Sequence, residues 1–187
     1  MNSPRTRSPS RLLFVLAAVA VTVFGLVAPA SAAPFCGITW GSLPKAATVD
    51  GGSNVTDVRA GQHECFDRLV IEVAGAPGAG YSVQYVSEVT ADPSGLPVTL
   101  RGGAFLSVVV RAPAQDADFI PTYRPADERE VVNTTGFATF RQVAWAGSFE
   151  ETTSLGVGVR ARLPFRVFTL AGPGSGGRVV LDVAHSW

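Results

Sequence analysis

The residue types that most often do chemistry are nearly missing from this chain. Its 187 residues include two cysteines, two histidines and a single lysine, Lys45. Cys36, Cys65, His63 and His185 do not furnish a persuasive four-ligand zinc set, so no metal site is expected. Lys45 stands alone, and no basic cluster interleaves with aromatics. The electrostatic footprint of a phosphate backbone is therefore absent, which excludes nucleic acid as a partner. Scarce histidine also weakens a Ser-His-Asp hydrolase. Asp182, His185 and Ser186 are the tempting group, but in extended chain Asp182 and His185 point to opposite faces, and no Gly-x-Ser-x-Gly elbow presents a nucleophile. A short tail with a solvated His185 is the simpler reading.

Room for long helices is also lacking, because 20 Gly and 13 Pro punctuate the chain. The exception is the amino terminus. Arg5, Arg7 and Arg11 precede an uncharged run over residues 12–27, and Ala30-Ser31-Ala32 places small residues where signal peptidase inspects. Residues 1–32 therefore read as a cleaved, helical secretion leader. The run of 16 residues is short of the roughly 20 that a spanning helix needs, so no stable membrane insertion is expected after cleavage. Thr6 splits Arg5 from Arg7, which rules out a twin-arginine signal. Of the 187 residues 155 then remain, enough for one domain with a sizeable core. Three arginines leave with the leader, so 12 basic residues face 15 acidic ones. Outside the cytoplasm Cys36 and Cys65 are expected to pair. A closed loop of about 30 residues gives such a bridge about 3–4 kcal/mol and ties residues 35–40 onto the strand near Phe66.

Period-two alternation recurs between the punctuators. In residues 66–73, Leu69, Ile71 and Val73 share one face and Arg68 and Glu72 the other; Tyr81, Val83 and Tyr85 alternate with Ser82 and Gln84. Further strand runs lie at 98–100, 105–111, 137–145, 157–162, 165–170 and 178–183. The series predicts an all-β fold, an antiparallel sandwich or open barrel of about 8 to 10 short strands. Residues 125–130 are the one window for a short helix, with Pro125 in the first turn and acids after it. Residues 112–125 carry three prolines and read as a long surface loop. Gly156 to Gly158 reads as a tight strand rather than a phosphate cradle, and the glycines at 172–177 as a hairpin loop. Asn54 and Asn133 sit in sequon patterns that mark surface turns.

The order of segments is similar to that of the AMIN-like domain of secreted actinobacterial proteins and lipoproteins. The resemblance rests on Cys65-Phe66-Asp67-Arg68-Leu69-Val70-Ile71-Glu72-Val73, on Gly80-Tyr81-Ser82-Val83-Gln84-Tyr85-Val86, on Leu163-Pro164-Phe165-Arg166-Val167 and on Arg178-Val179-Val180-Leu181-Asp182-Val183, with Gly147-Ser148-Phe149-Glu150 and Gly156-Val157-Gly158-Val159 between. It runs from about residue 61 to the end, leaving residues 33–60 as an amino-terminal extension tied by the disulfide. The related AMIN domain is a β-sandwich placed before periplasmic peptidoglycan amidases and secretin subunits and associated with localisation to the cell wall. The resemblance brings no catalytic residue or cofactor.

Binding outside the cytoplasm is thus the expected role, with a cell-wall polymer such as peptidoglycan, or an envelope protein, as partner, and no enzyme activity. The alternatives are an accessory to a wall hydrolase, or a protease or lysozyme inhibitor acting through the loop 112–125. Alternation groups Arg141, Trp145 and Glu150 with Arg160 and Arg162 as a candidate polar surface, and Tyr123 is an aromatic of the adjoining loop. Adjacent Glu150 and Glu151 face opposite ways on a strand and so do not flank one glycosidic bond.

Overall fold

Side chains that alternate between apolar and polar need a surface with one dry and one wet face, and two sheets packed together provide it. The computed structural model describes residues 35–48, 54–75, 77–172 and 174–187, and the leader read at residues 1–32 lies outside them. Among the described residues the regular structure is eleven strands and one 3-10 turn at Phe35–Gly37. The first sheet contains β1 (Lys45–Ala47), β4 (Tyr81–Val86), β7 (Ala104–Val110), β9 (Thr152–Val159) and β8 (Phe140–Phe149), in that order. The second runs β10 (Phe165–Ala171), β11 (Gly177–Ala184), β3 (Phe66–Val73) and β2 (Val55–Gln62). A small hairpin joins β5 (Val89–Thr90) to β6 (Pro97–Val98). Every pairing is antiparallel.

The all-β antiparallel expectation holds. One core fills the space between the sheets, with Leu69, Ile71 and Leu181 from the second meeting Leu106, Val108 and Val157 from the first, all essentially without exposure. Phe140 and Phe165 are the largest fully buried side chains.

Three details differ from the sequence reading. The strand β2 has no counterpart in it, because a bulge between Val55 and Asp57 breaks the period-two pattern there. The helix window at 125–130 is an Asx turn. Asp127 Oδ1 accepts the N–H of Arg129 at 2.8 Å, and the same segment pairs with edge strand β8 through Trp145 N–H to Glu128 O at 2.7 Å and Val131 N–H to Val143 O at 2.8 Å. Covering that edge takes the backbone groups a helix would have used. Glu150 and Glu151, finally, form the turn between β8 and β9, with Glu150 at φ 52°.

Gly156 and Gly158 let the chain lie close over β9. A Cβ on Gly156 would stand 2.9 Å from Leu100 Cδ1, and one on Gly158 would run into the carbonyl oxygen of Arg101. The glycine pair is a close-packed strand, as its sequence suggests.

Candidate functional site

Register builds the site. Arg166 on β10 stands opposite Asp182 on β11, and Asp182 stands opposite Arg68 on β3, so the three form a row across the second sheet. Alternation puts this row on the face away from the core, since Leu69, Leu181 and Phe165, next to the row, all turn inward. Asp182 is nevertheless fully buried, beneath the two guanidinium groups. Arg68 donates from Nε to Oδ1 at 2.6 Å and from Nη2 to Oδ2 at 2.9 Å; Arg166 donates from Nε to Oδ2 at 2.8 Å, with its Nη2 also 2.8 Å away. The hydrogen bond to Asp182 holds the Arg68 guanidinium above its ordinary value. Two cations share one carboxylate, which leaves one positive charge in excess. The Nη1 groups of both arginines have no partner among the described residues.

Aromatic rings frame these cations. The Arg68 guanidinium lies 5.1 Å from the centre of Phe66 and 5.6 Å from Phe168; that of Arg166 lies 5.5 Å from Trp40, 5.4 Å from Phe66 and 5.0 Å from Phe168. All three rings are partly exposed. Trp40 comes from the segment before β1, which Cys36 bonds to Cys65 and which an isolated bridge from Gly41 to Phe165 lays along β10. That tether brings Trp40 within 5.9 Å of Phe66, and the indole N–H donates to Phe35 O at 2.9 Å. The arrangement offers a ligand outward guanidinium donors between flat apolar rings, which suits an anionic group carried on a ring-bearing chain.

The tempting carboxyl-terminal triad does not assemble. Asp182 belongs to the two arginines, and His185 turns elsewhere: its Nε2 lies 3.1 Å from Asp67 Oδ1 and its Nδ1 3.1 Å from Glu64 O. His185 is held in place, not solvated as the sequence suggested. Asp67 is a cross-sheet clasp, fully buried, with Oδ2 accepting the N–H groups of Thr139 at 2.6 Å and Phe140 at 2.8 Å.

Of the side chains singled out in the sequence, Tyr123 and Trp145 meet, with ring centres 5.8 Å apart. The others are engaged separately. Arg141 donates to the carbonyls of Phe137 and Phe140 at 3.1 and 3.0 Å, and Arg160 to that of His185. Arg162 lies 4.6 Å over the ring of Tyr85 and donates to Ser42 O. Glu150 and Glu151 border an open cleft of about 840 Å³ with Tyr81, Ser82 and Arg111. No histidine lines that cleft.

Alternation puts Arg68 on the polar face of its strand and the disulfide puts residues 35–40 near Phe66, but neither signal joins Arg68, Arg166 and Asp182 into one row. The signal was there: three segments that carry the family resemblance each contribute one member. Among the described residues no group of His, Cys, Asp and Glu is placed to hold a metal, and no helix is long and apolar enough to cross a membrane. No curated protein and no solved structure matches the chain. Comparison with known protein families matches residues 53–185, strands β2 to β11, to the AMIN-like domain. The chain belongs to the AMIN-like domain family.

Proposed function

We propose that this domain is a noncatalytic binding module that works outside the cytoplasm and holds an anionic cell-envelope polymer, peptidoglycan first among them, on the outer face of its second sheet. The observation that carries this reading is the pair of uncommitted Nη1 edges on Arg68 and Arg166, set between Trp40, Phe66 and Phe168. The stem peptides of peptidoglycan bring carboxylates, and guanidinium groups flanked by rings are well suited to them. The family's association with the envelope and the leader expected from the sequence of residues 1–32 support the same reading.

Cosedimentation with purified cell walls tests it. The protein is expected to pellet with native walls, and to stay in solution when wall carboxyls have been converted to amides or when Trp40→Ala and Phe168→Ala are combined. Equal pelleting on native and amidated walls would overturn the reading.

A protein partner is the second reading, and one observation favours it. Phe119 and Ile120, at the tip of the loop 112–125, are 76% and 60% exposed. The tip is preformed, since Asp116 Oδ1 accepts the N–H groups of Asp118 and Ile120 at 3.0 and 2.9 Å and Asp116 N–H donates to Ile120 O at 2.9 Å. A rigid apolar tip of this kind suits entry into a cleft of an envelope hydrolase. Inhibition of a muramidase by the protein, lost on Phe119→Ser, is the result that would place this reading first.

A further inference from the structure

A hollow away from the arginine row pairs two aromatic rings with polar groups of both charge signs. Trp145 projects from edge strand β8, and Tyr123 ends the long loop; their rings tilt by 48° to one another. With Gln115, Arg124, Glu128 and Ser148 they line a hollow of about 230 Å³.

Its backbone is fixed. Gln115 bridges Pro121, and the N–H groups of Thr122 and Tyr123 donate to Ala114 O. Ala114 N–H donates to Ser148 Oγ at 2.8 Å, and Trp145 N–H reaches Glu128 O.

The side-chain ends, by contrast, are uncommitted. The hydroxyl of Tyr123, the indole N–H of Trp145, the amide of Gln115, the guanidinium of Arg124 and the carboxylate of Glu128 have no hydrogen-bond or ion-pair partner among the described residues. Tyr123 and Trp145 rest one side on the core and keep the other partly exposed, and a rigid frame with two such aromatic planes and five idle polar groups has the composition of a ligand site.

Which ligand follows from the groups. Arg124 and Glu128 offset each other in charge, and the Asp57 charge acts on the Tyr123 hydroxyl, which disfavours an anion and leaves a neutral hydrogen-bonding molecule as the best fit. Donors and acceptors are mixed around the rim, so the best complement is a group that both donates and accepts, as a hydroxyl does. The indole and phenol faces ask for an apolar flat surface, and the axial C–H face of a pyranose supplies one. Pockets for drug-sized ligands hold about 300–1,000 Å³, so this smaller hollow takes one ring rather than several.

We propose that the Tyr123–Trp145 hollow binds one pyranose ring of an uncharged saccharide. The site shares no residue with the arginine row, so it stands or falls separately from the proposed function.

The test is a titration of the folded protein with triacetylchitotriose, an uncharged oligosaccharide, followed by proton–nitrogen correlation spectra. Three tryptophans give three resolvable indole signals. The Trp145 signal is expected to shift and saturate with a Kd of about 1 mM, while those of Trp40 and Trp187 stay in place. Arg124 and Glu128 are exposed and unpaired, so the variants Arg124→Ala and Glu128→Ala leave the fold intact and are expected to weaken binding about tenfold when combined. Tyr123→Phe is expected to weaken it by a smaller factor. No shift of the Trp145 signal up to about 10 mM sugar, or equal affinity in the Arg124/Glu128 double variant, would overturn the inference. Cosedimentation with walls that survives such a negative result would leave the arginine-row reading untouched, and its loss alongside intact sugar binding would do the reverse.

Discussion

Arg68 and Asp182 face each other across β3 and β11 and meet through two hydrogen bonds of 2.6 and 2.9 Å, although the carboxylate has no exposure and the strand pair lies at the wet face of the sheet. Arg166 holds the same carboxylate from the other side. Either arginine alone keeps Asp182 paired, so Arg68→Ala or Arg166→Ala is expected to cost about 1–2 kcal/mol. Removing both also takes away the groups that cover Asp182 and lets water reach the carboxylate, so the double variant is expected to cost about the sum of the singles, about 2–4 kcal/mol. Urea denaturation of the two single variants and the double variant measures this. A double variant as stable as the unaltered protein would show that the row contributes nothing to the fold.

Asp67 does a different task from its neighbour in sequence. Because successive residues on β3 point to opposite faces, Asp67 reaches across the core to the start of β8 while Arg68 faces outward. Asp67→Ala orphans the N–H groups of Thr139 and Phe140 and is expected to cost about 2–4 kcal/mol. Asp67→Asn, which keeps an acceptor oxygen, is expected to recover about half of that. Hydrogen exchange gives a site-specific readout: the Thr139 and Phe140 amides lose protection first in Asp67→Ala.

Two glycines are expected to respond in opposite directions. On β9, Gly158 has no room for a Cβ because the Arg101 carbonyl lies against it. Backbone cannot rotate away as a side chain would, so Gly158→Ala is expected to destabilise by about 2–3 kcal/mol. On β2, Gly61 has nothing within 4 Å of its Cβ position and stands opposite Arg68. Gly61→Ala is expected to gain about 0.5 kcal/mol by reducing the freedom of the unfolded chain. Thermal melts of the two variants suffice to check the pair.

The alternation that makes β3, β4, β10 and β11 was legible because the pairings of β10 with β11, β11 with β3 and β4 with β7 run without a register shift. Elements with bulges were not. In β8 the register shifts between Phe140 and Gln142 and again between Trp145 and Gly147, and the strand runs to Phe149 where the pattern suggested an end near residue 145. The row Arg166–Asp182–Arg68 was hidden for another reason: its members are 16 and 114 residues apart, and only the strand order β10-β11-β3 lines them up. Nothing in one-dimensional periodicity supplies that order. The pairing of Cys36 with Cys65 made Trp40 the one aromatic of the site whose neighbour, Phe66, could be named from the sequence.

Tyr85 gives the domain a predicted alkaline limit. Its hydroxyl donates to Leu163 O at 2.7 Å and accepts from Leu163 N–H at 3.0 Å, which fastens β4 to the turn that enters β10. Burial raises its ionisation above the ordinary value of 10.0, and this outweighs the opposing effects of the Leu163 hydrogen bond and the Arg162 charge. A folded-state value above the unfolded one means that the folded chain holds the proton more tightly. The stability this contributes is complete below pH 10.0 and is lost as pH rises from there through the folded-state value. Tyr85→Phe removes the ionisation but leaves the Leu163 N–H unpaired, so it is expected to cost about 1–2 kcal/mol at neutral pH and to flatten the decline in alkali. Denaturation midpoints at neutral pH and above pH 10 for the two proteins decide the matter: an equal alkaline loss in both would assign the decline to other groups.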